Sequence, residues 1–449
     1  MHPLDYLVFG IYFLVVLYVG FYFYRQNSSK EDYYVGGRSI SYGHVGLSIA
    51  ATDVGGGFSV GLGGLGFTMG LSGSWLLFTG LIGAWLAAVL TVPKLKRLDI
   101  TNNLLTFPDF LALKYNKTVG IVAAFISGIG YLGFTSGQLL AGGKLAAGSV
   151  FSNIQWMLPL DFSLIVMAIV VVVYTVLGGL KAVIYTDTVQ WIVLLFGLIF
   201  LGIPFAFVKL GGWEVIVQSL PPSHFSLSNL SWSTAVNWAI SIIPIWFIAM
   251  TLYQRVFASP SVKQAKRAFF VAGIFEYPVM AFSGVILGML ARVAFPDSDA
   301  ETALPLLLNH VLPLGIAGFV LASYFSAVMS TADSCLIASS GNFLHDIVLR
   351  YVKSEEDGQV IRASQIMTLI LGVFSYLLAS SFTSVLDIVL QSYSFMVAGL
   401  LVPTLIAYFS RRRSSAAALT GMIGGGSVTL LLMSLSISLP FGLEPTIFG

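Results

Sequence analysis

The chain is built of long apolar stretches, each close to the length of a helix that crosses a bilayer. Crossing takes roughly 20 largely apolar residues. The 449-residue sequence offers twelve such stretches, at 5–24, 43–67, 72–93, 118–150, 162–180, 182–208, 234–257, 266–295, 312–345, 362–381, 384–409 and 414–437. Little interrupts them, because only 9% of the residues are charged and 57% are hydrophobic. A soluble domain carries about 25% charged residues, and no globular shape in water could hide this much apolar surface. Within lipid, each backbone polar group must be satisfied by its own segment, which favours helices. The sequence therefore predicts an all-α integral membrane protein of about twelve spans.

Several function classes drop out. The connecting segments are too short for a soluble catalytic domain. No Ser/His/Asp set, HExxH motif or metal-ligand spacing is present, so no enzyme activity is expected. The net charge of +2 gives no basis for a nucleic-acid partner. Cys335, the single cysteine, excludes an intramolecular disulfide and a Cys-based zinc site. The first apolar stretch lacks a basic leader and a small-residue cleavage site, so it reads as a retained helix. The expected partners are the lipid bilayer and a small polar solute; oligomeric state is not legible.

Orientation follows from the basic residues. With the N-terminus outside, all of the 22 Lys and Arg residues except Lys144, Lys209 and Arg292 fall on the cytoplasmic side, Arg25, Arg255 and Lys353 among them. Twelve spans then place both termini outside a cell membrane. The outer segment 209–233, with Trp213, Trp232, Pro221 and Pro222, reads as interfacial. Segment 296–311 holds Asp297, Asp299 and Glu301.

Setting aside the first and last spans leaves ten, which divide five and five with opposite orientation. The expected layout is a peripheral helix and cytoplasmic loop (1–42), a first repeat (43–209), an outer loop (210–233), a second repeat (234–409), and a C-terminal helix with tail (410–449). Inverted repeats of this kind place a binding site at the midplane, on helices that are discontinuous. The first helix of the first half contains Ala50-Ala51-Thr52-Asp53-Val54-Gly55-Gly56-Gly57. Each glycine there costs about 1 kcal/mol of helix stability relative to Ala, and an intramembrane carboxylate costs about 2.5–3.5 kcal/mol. Free carbonyls beside a carboxylate suit a small hard cation; close packing through the glycines is the structural alternative. In the opposite helix, Pro244 is the expected break, with Ser241, Trp246 and Thr251 toward a cavity.

The ninth stretch carries Ala327, Ser330, Thr331 and Ser334 at i, i+3, i+4 and i+7, so they share one helical face. Hydroxyls and carbonyls there suit Na⁺; small-residue helix packing is the alternative. Asp333 requires a partner, and Asp187 is the candidate. Gln138 reads as a solute contact. Lys144 either snorkels or faces a carboxylate. Gln391 pairs with Asp387 at i, i+4; Glu276 has no assigned role.

These stretches also carry a family resemblance. Tyr34-Val35-Gly36-Gly37-Arg38, Ala51 through Gly57, Gly178 through Gln190 with its Tyr185-Thr186-Asp187, Tyr253-Gln254-Arg255-Val256, and Ser326 through Ser334 resemble the sodium/solute symporter family. The wording is nearest to choline- and proline-type members. The resemblance implies a LeuT-type 5+5 core with one added helix at each end. It implies Na⁺-coupled uptake of a small polar solute by alternating access. It places the shared Na⁺ site on backbone oxygens of Ala51, Val54 and Ala327 and on hydroxyls of Ser330 and Thr331. Asp53 matches an aspartate important for ion coupling. Asp187 matches a carboxylate tied to a second cation, and with Asp333 and Ser334 it would hold a second Na⁺ or share a proton. The solute would meet Gly55, Gly56, Gln138, Trp246, Thr251 and Gln391. The aromatic cage expected for choline is incomplete, with Asp53 where a Trp would stand, so the solute class stays open among amino acids, sugars, organic acids and vitamins. A proton-coupled symporter of the same fold, or a sensor acting through a separate partner, are the alternatives.

Overall fold

The computed structural model describes residues 2–24, 30–152, 157–351, 357–435 and 439–449. Arg25 and Lys353, two of the charges used for orientation, lie outside the described residues. Helices α1 (Pro3–Tyr24), α2 (Tyr42–Met69), α3 (Trp75–Leu90), α4 (Lys117–Ala147) and α5 (Pro159–Leu195) form the first part of the chain. The second part comprises α6 (Trp232–Ile242), α7 (Met250–Ala258), α8 (Val262–Ile274), α9 (Phe282–Ala294), α10 (Ile316–Leu344), α11 (Asp357–Ala379), α12 (Val385–Phe409) and α13 (Ser415–Ser434). The described residues contain no strand.

Helix covers each of the twelve apolar stretches, but fewer qualify as complete spans. Nine helices among the described residues are long and apolar enough to cross a membrane, or ten with Trp232–Ile248 and Met250–Ala258 counted together. The shortfall has a local cause. Helix α1 counts only as a shorter apolar helix, over Pro3–Val19, and α2 is divided at Gly55 (φ 50°, ψ −174°). Helix α5 is likewise divided at Gly179 (φ 67°, ψ 167°), two residues before the expected junction at 181.

The second break is displaced from its expected position. Pro244 keeps helical angles (φ −64°, ψ −28°), and the extended residue is Ala249 (φ −69°, ψ 118°), where the axis bends by 41°. Pro lacks an N–H and so loosens the preceding turn, but the change of direction comes five residues later.

Helix α10 is the buried axis of the molecule. It packs against α4, α5, α2 and α1, and its most apolar segment is wholly buried. Small residues (Ala327, Ser330, Ala332, Ser334) allow neighbours to approach closely. Helix α1 anchors one end of it: Asp5 Oδ1 accepts from the amides of Gly315 (2.7 Å) and Gly318 (3.0 Å), at the N-terminus of α10. A carboxylate at that end of a helix is electrostatically favoured. Lower down, Ser326 Oγ donates to Tyr12 Oη at 2.5 Å. The C-terminal half of α2 lies on α9 at glycine contact distance. A Cβ at Gly288 would fall 2.0 Å from the Gly63 carbonyl oxygen.

Charges outside the apolar layer pair locally. Asp99 receives Lys96 at 2.7 Å and also binds Arg38. Arg350 reaches Asp109 at 3.4 Å and Asp346 at 3.6 Å. Burial works to raise the Asp109 carboxyl, but the His345 hydrogen bond and the charges of His345 and Arg350 outweigh it and hold it below the ordinary carboxylate range.

Candidate functional site

The site begins with the break in α2. With Gly55 at positive φ, the helix ladder is interrupted, and side chains from other helices take up the exposed backbone groups. Thr331 Oγ1 donates to the Ala51 carbonyl at 2.9 Å, and Ser330 Oγ reaches the same oxygen at 3.4 Å. Ser330 Oγ also donates to the Ala327 carbonyl at 3.1 Å. Val54 is buried on the same turn, immediately before the break. Ala51, Val54, Ala327, Ser330 and Thr331 are all at most 1% exposed. The structure thus brings the expected Na⁺ oxygens of Ala51, Ala327, Ser330 and Thr331 together, with Val54 beside them. Neutral, hard oxygens of this kind match the donor set that Na⁺ requires.

The glycines are used for approach. A Cβ at Gly55 would lie 2.2 Å from Thr331 Oγ1, and one at Gly56 would lie 2.2 Å from Val328 Cγ2. Gln138 enters from α4: its Oε1 accepts from the Gly57 amide at 2.8 Å, while Nε2 has no partner among the described residues. Gln138 therefore lies against Gly55 and Gly57, while Gly56 faces Val328.

Near the second break, Thr251 follows Ala249 by two residues. Tyr131 Oη exchanges a hydrogen bond with Thr251 Oγ1 at 3.0 Å and accepts from the Thr251 amide at 3.2 Å. Trp246 is buried against Phe269, and its Nε1 lacks a partner among the described residues. Asp53 turns away from the hydroxyls of α10: its Oδ1 accepts from Tyr393 Oη at 3.3 Å. Tyr393 stacks on Phe134 with ring centroids 4.9 Å apart.

Two expectations change. Asp187 was expected to partner Asp333, but its ion pair is with Arg255, whose Nη2 lies 3.1 Å from Asp187 Oδ2. The same guanidinium donates to Thr52 Oγ1 (2.5 Å), Ser334 Oγ (2.8 Å), Ser48 Oγ (2.9 Å) and the Thr251 carbonyl (3.1 Å). Arg255 was counted as a cytoplasmic charge and is instead fully buried. It joins α2, α5, α7 and α10, and its planar fork of donors suits such a role. Asp333 Oδ1 accepts from the Ser334 amide at 2.6 Å, and Oδ2 is without a partner among the described residues. Sequence reasoning missed Arg255 although it quoted the motif that contains it; an arginine inside an otherwise apolar stretch was the available signal.

Lys144 and Gln391 lie elsewhere. Lys144 pairs with Glu301 at 2.5 Å, and Glu301 in turn accepts from the Val385 amide at 3.1 Å. That carboxylate satisfies Lys144, so it is not a solute contact. Gln391 lines a cavity of about 310 Å³ with Asp387, Ser394 and Glu444, away from the α2 break. Glu444 belongs to the chain's tail, held by Ser241 Oγ at 3.0 Å and by Asn237 Oδ1, which accepts the Glu444 amide at 3.1 Å.

Comparison with known proteins gives this geometry its context. The sodium:solute symporter family model matches residues 33–425. The high-affinity proline transporter PutP of Bacillus subtilis (strain 168) is 28% identical over 439 residues, covering 94% of this chain and 91% of that protein. A sodium/proline symporter of Staphylococcus aureus (strain USA300 / TCH1516) is 24% identical over 451 residues, covering 95% and 85%. Among solved structures, the substrate-bound outward-open state of a Na⁺-coupled sialic acid symporter superposes with a TM-score of 0.81 at 21% identity, covering 100% of this chain and 94% of that one. Mhp1, a nucleobase-cation-symport-1 family transporter in a closed conformation, gives 0.60 at 14% identity, covering 91% and 89%. The fold is all-α and of LeuT type. The broken helix, the hydroxyls that meet it, and a family match across most of the chain lead to one conclusion: this protein belongs to the sodium:solute symporter family and is a Na⁺-coupled solute symporter of the cell membrane.

Proposed function

We propose that Na⁺ binds between α2 and α10, on the carbonyls of Ala51, Val54 and Ala327 and the hydroxyls of Ser330 and Thr331. The hydroxyls now donate to carbonyls. In the ion complex they rotate, and their lone pairs face Na⁺. Sodium at this junction draws the two helices together and completes the solute pocket beside the break, formed by Gly55, Gly56, Gln138, Trp246 and Thr251. Asp53 stands on the same turn with its carboxyl group on the solute side, so ion and solute are coupled through one short stretch of backbone. Arg255, paired with Asp187 and Ser334, supplies at the second position the charge that a second cation would bring. Repeats 43–209 and 234–409 then rock about the site, with both termini outside. Each inward Na⁺ gains about 2.3 kcal/mol per 100 mV of membrane potential.

The observation that carries this reading is the hydrogen bond of Thr331 to Ala51 across the break. It can be tested before the solute is known. A ligand of the native state stabilises it by RT ln(1 + [L]/Kd), about 2.7 kcal/mol at one hundred times Kd. Purified protein should melt at a higher temperature in NaCl than in KCl, and Ser330→Ala with Thr331→Ala should abolish the difference. Equal melting of the unaltered protein in both salts would overturn the sodium site and favour proton coupling.

A further inference from the structure

Sodium coupling leaves Glu276 without an assignment, where α2, α3 and the π-helical turn Phe275–Ala281 meet. Glu276 is fully buried, and neither carboxyl oxygen has a hydrogen-bond partner among the described residues. Asp53 is 5% exposed and leaves Oδ2 equally without a partner. The two groups meet over Gly80 of α3. A Cβ there would lie 2.5 Å from Glu276 Oε2 and 3.9 Å from Asp53 Oδ2. One turn on, a Cβ at Gly83 would lie 2.3 Å from Cδ1 of Trp246, whose Nε1 is the unpartnered donor noted above. Two glycines at i, i+3 thus leave one face of α3 open to two carboxyl groups and an indole. Glu276 sits in a π-helical turn with Pro278, which has no amide to donate; such turns recur at functional sites.

Charge narrows what can enter. The titratable groups that face this pair are Tyr393, which donates to Asp53, and Cys335; the nearest basic group beyond them is Arg255. Arg255 is committed to Asp187, and Lys144 to Glu301. A buried carboxyl group either keeps its proton or meets a positive partner, and an ionisable side chain within a membrane marks a pathway or a site. A separate cavity, away from the break, has the same charge character. The cavity that contains Gln391 is lined by Asp387 and Glu444, and no Lys or Arg lines it among the described residues. Its Ser394 is the sequence neighbour of Tyr393, the residue that binds Asp53.

We propose that the transported solute carries a positively charged nitrogen, an ammonium or guanidinium with no carboxylate beside it, and that Asp53 and Glu276 receive that group next to Trp246. The proposal rests on the symporter reading above. Carboxylates attract the cation directly, and the indole adds a cation–π contribution. A zwitterion would bring its own carboxylate against two acids, with no basic side chain to accept it.

The test is a melting assay of the full-length protein in NaCl with agmatine and putrescine as cations, L-proline as zwitterion and lactate as anion. At least one cation should stabilise at a concentration at least tenfold below that of L-proline. Glu276→Gln should raise that concentration at least tenfold while keeping the stabilisation by NaCl over KCl, and Asp53→Asn should act in the same direction. No response to either cation, or a ranking with L-proline or lactate first, overturns the proposal. That result needs no variant, so a misfolded Glu276→Gln protein cannot obscure it. The two failures are distinguishable. Lost cation preference with sodium stabilisation intact removes the solute assignment alone. Equal melting in both salts removes the sodium reading and the solute assignment with it.

Discussion

The hydroxyl of Thr331 and the carbonyl of Ala51 lie 280 residues apart in the chain and 2.9 Å apart in space. Their hydrogen bond ties the broken helix α2 to the buried helix α10, where the proposed ion would sit.

Removing the hydroxyls should weaken the ion without dismantling the fold. Each polar interaction of this kind contributes about 1 kcal/mol net, so losing both costs roughly a factor of 10 to 100 in affinity. Ser330→Ala with Thr331→Ala should raise the Na⁺ concentration for half-maximal solute uptake in proteoliposomes by at least about tenfold. Unchanged Na⁺ dependence would place the ion elsewhere.

A methyl group at the break should be more damaging. Gly55 has φ +50°, and a Cβ there would lie 2.2 Å from Thr331 Oγ1. The backbone strain alone is about 1–2 kcal/mol, and the clash falls on a proposed ion ligand. Gly55→Ala should abolish both uptake and stabilisation by NaCl. Gly43→Ala, on the same helix with nothing within 4 Å, should leave both intact.

Arg255 should not tolerate replacement by lysine. Its guanidinium serves Ser48, Thr52, Asp187, Ser334 and the Thr251 carbonyl together, and an ammonium cannot span that fork. Breaking a buried pair by removing one partner costs about 3–5 kcal/mol. Arg255→Lys and Asp187→Asn should each lower the melting temperature markedly. The double variant should lose less than the sum of the two, as a double-mutant cycle on thermal or denaturant unfolding would show.

Glu444 gives the tail a pH dependence. Burial, with Asp387 nearby, raises its carboxyl above the ordinary value, while Ser241 and Ser394 oppose the shift. A folded-state pKa above the unfolded one means that the native state binds the proton more tightly. Its contribution to stability is therefore full below the unfolded pKa and is lost as pH rises through the folded one. Melting temperature should fall over that interval, and Glu444→Gln should flatten the fall. An identical profile in the variant would assign the pH response to another group.

What was legible in the sequence follows from the range of the interactions involved. The helices were legible because an apolar run of span length announces itself. The break at Gly55 was legible because three consecutive glycines are costly in any helix. The break at Ala249 was not, since alanine is a good helix former and its extended conformation is imposed by neighbours rather than by propensity. Ala51 and Thr331 could be joined only through resemblance. Lys144 with Glu301, Arg255 with Asp187, and Asp53 with Glu276 depend on helices distant in sequence, and no spacing pattern records such contacts.

Helix α10 touches α1, α2, α4 and α5 and is held at its N-terminal end by Asp5. Enclosed in this way, it has little freedom to carry its hydroxyls away from the ion proposed to sit there. On that proposal, release would depend on the other partner, the segment of α2 that leads into Gly55. The proposed machine would divide into a fixed jaw and a moving one, with a residue that has no side chain as the pivot of the moving jaw.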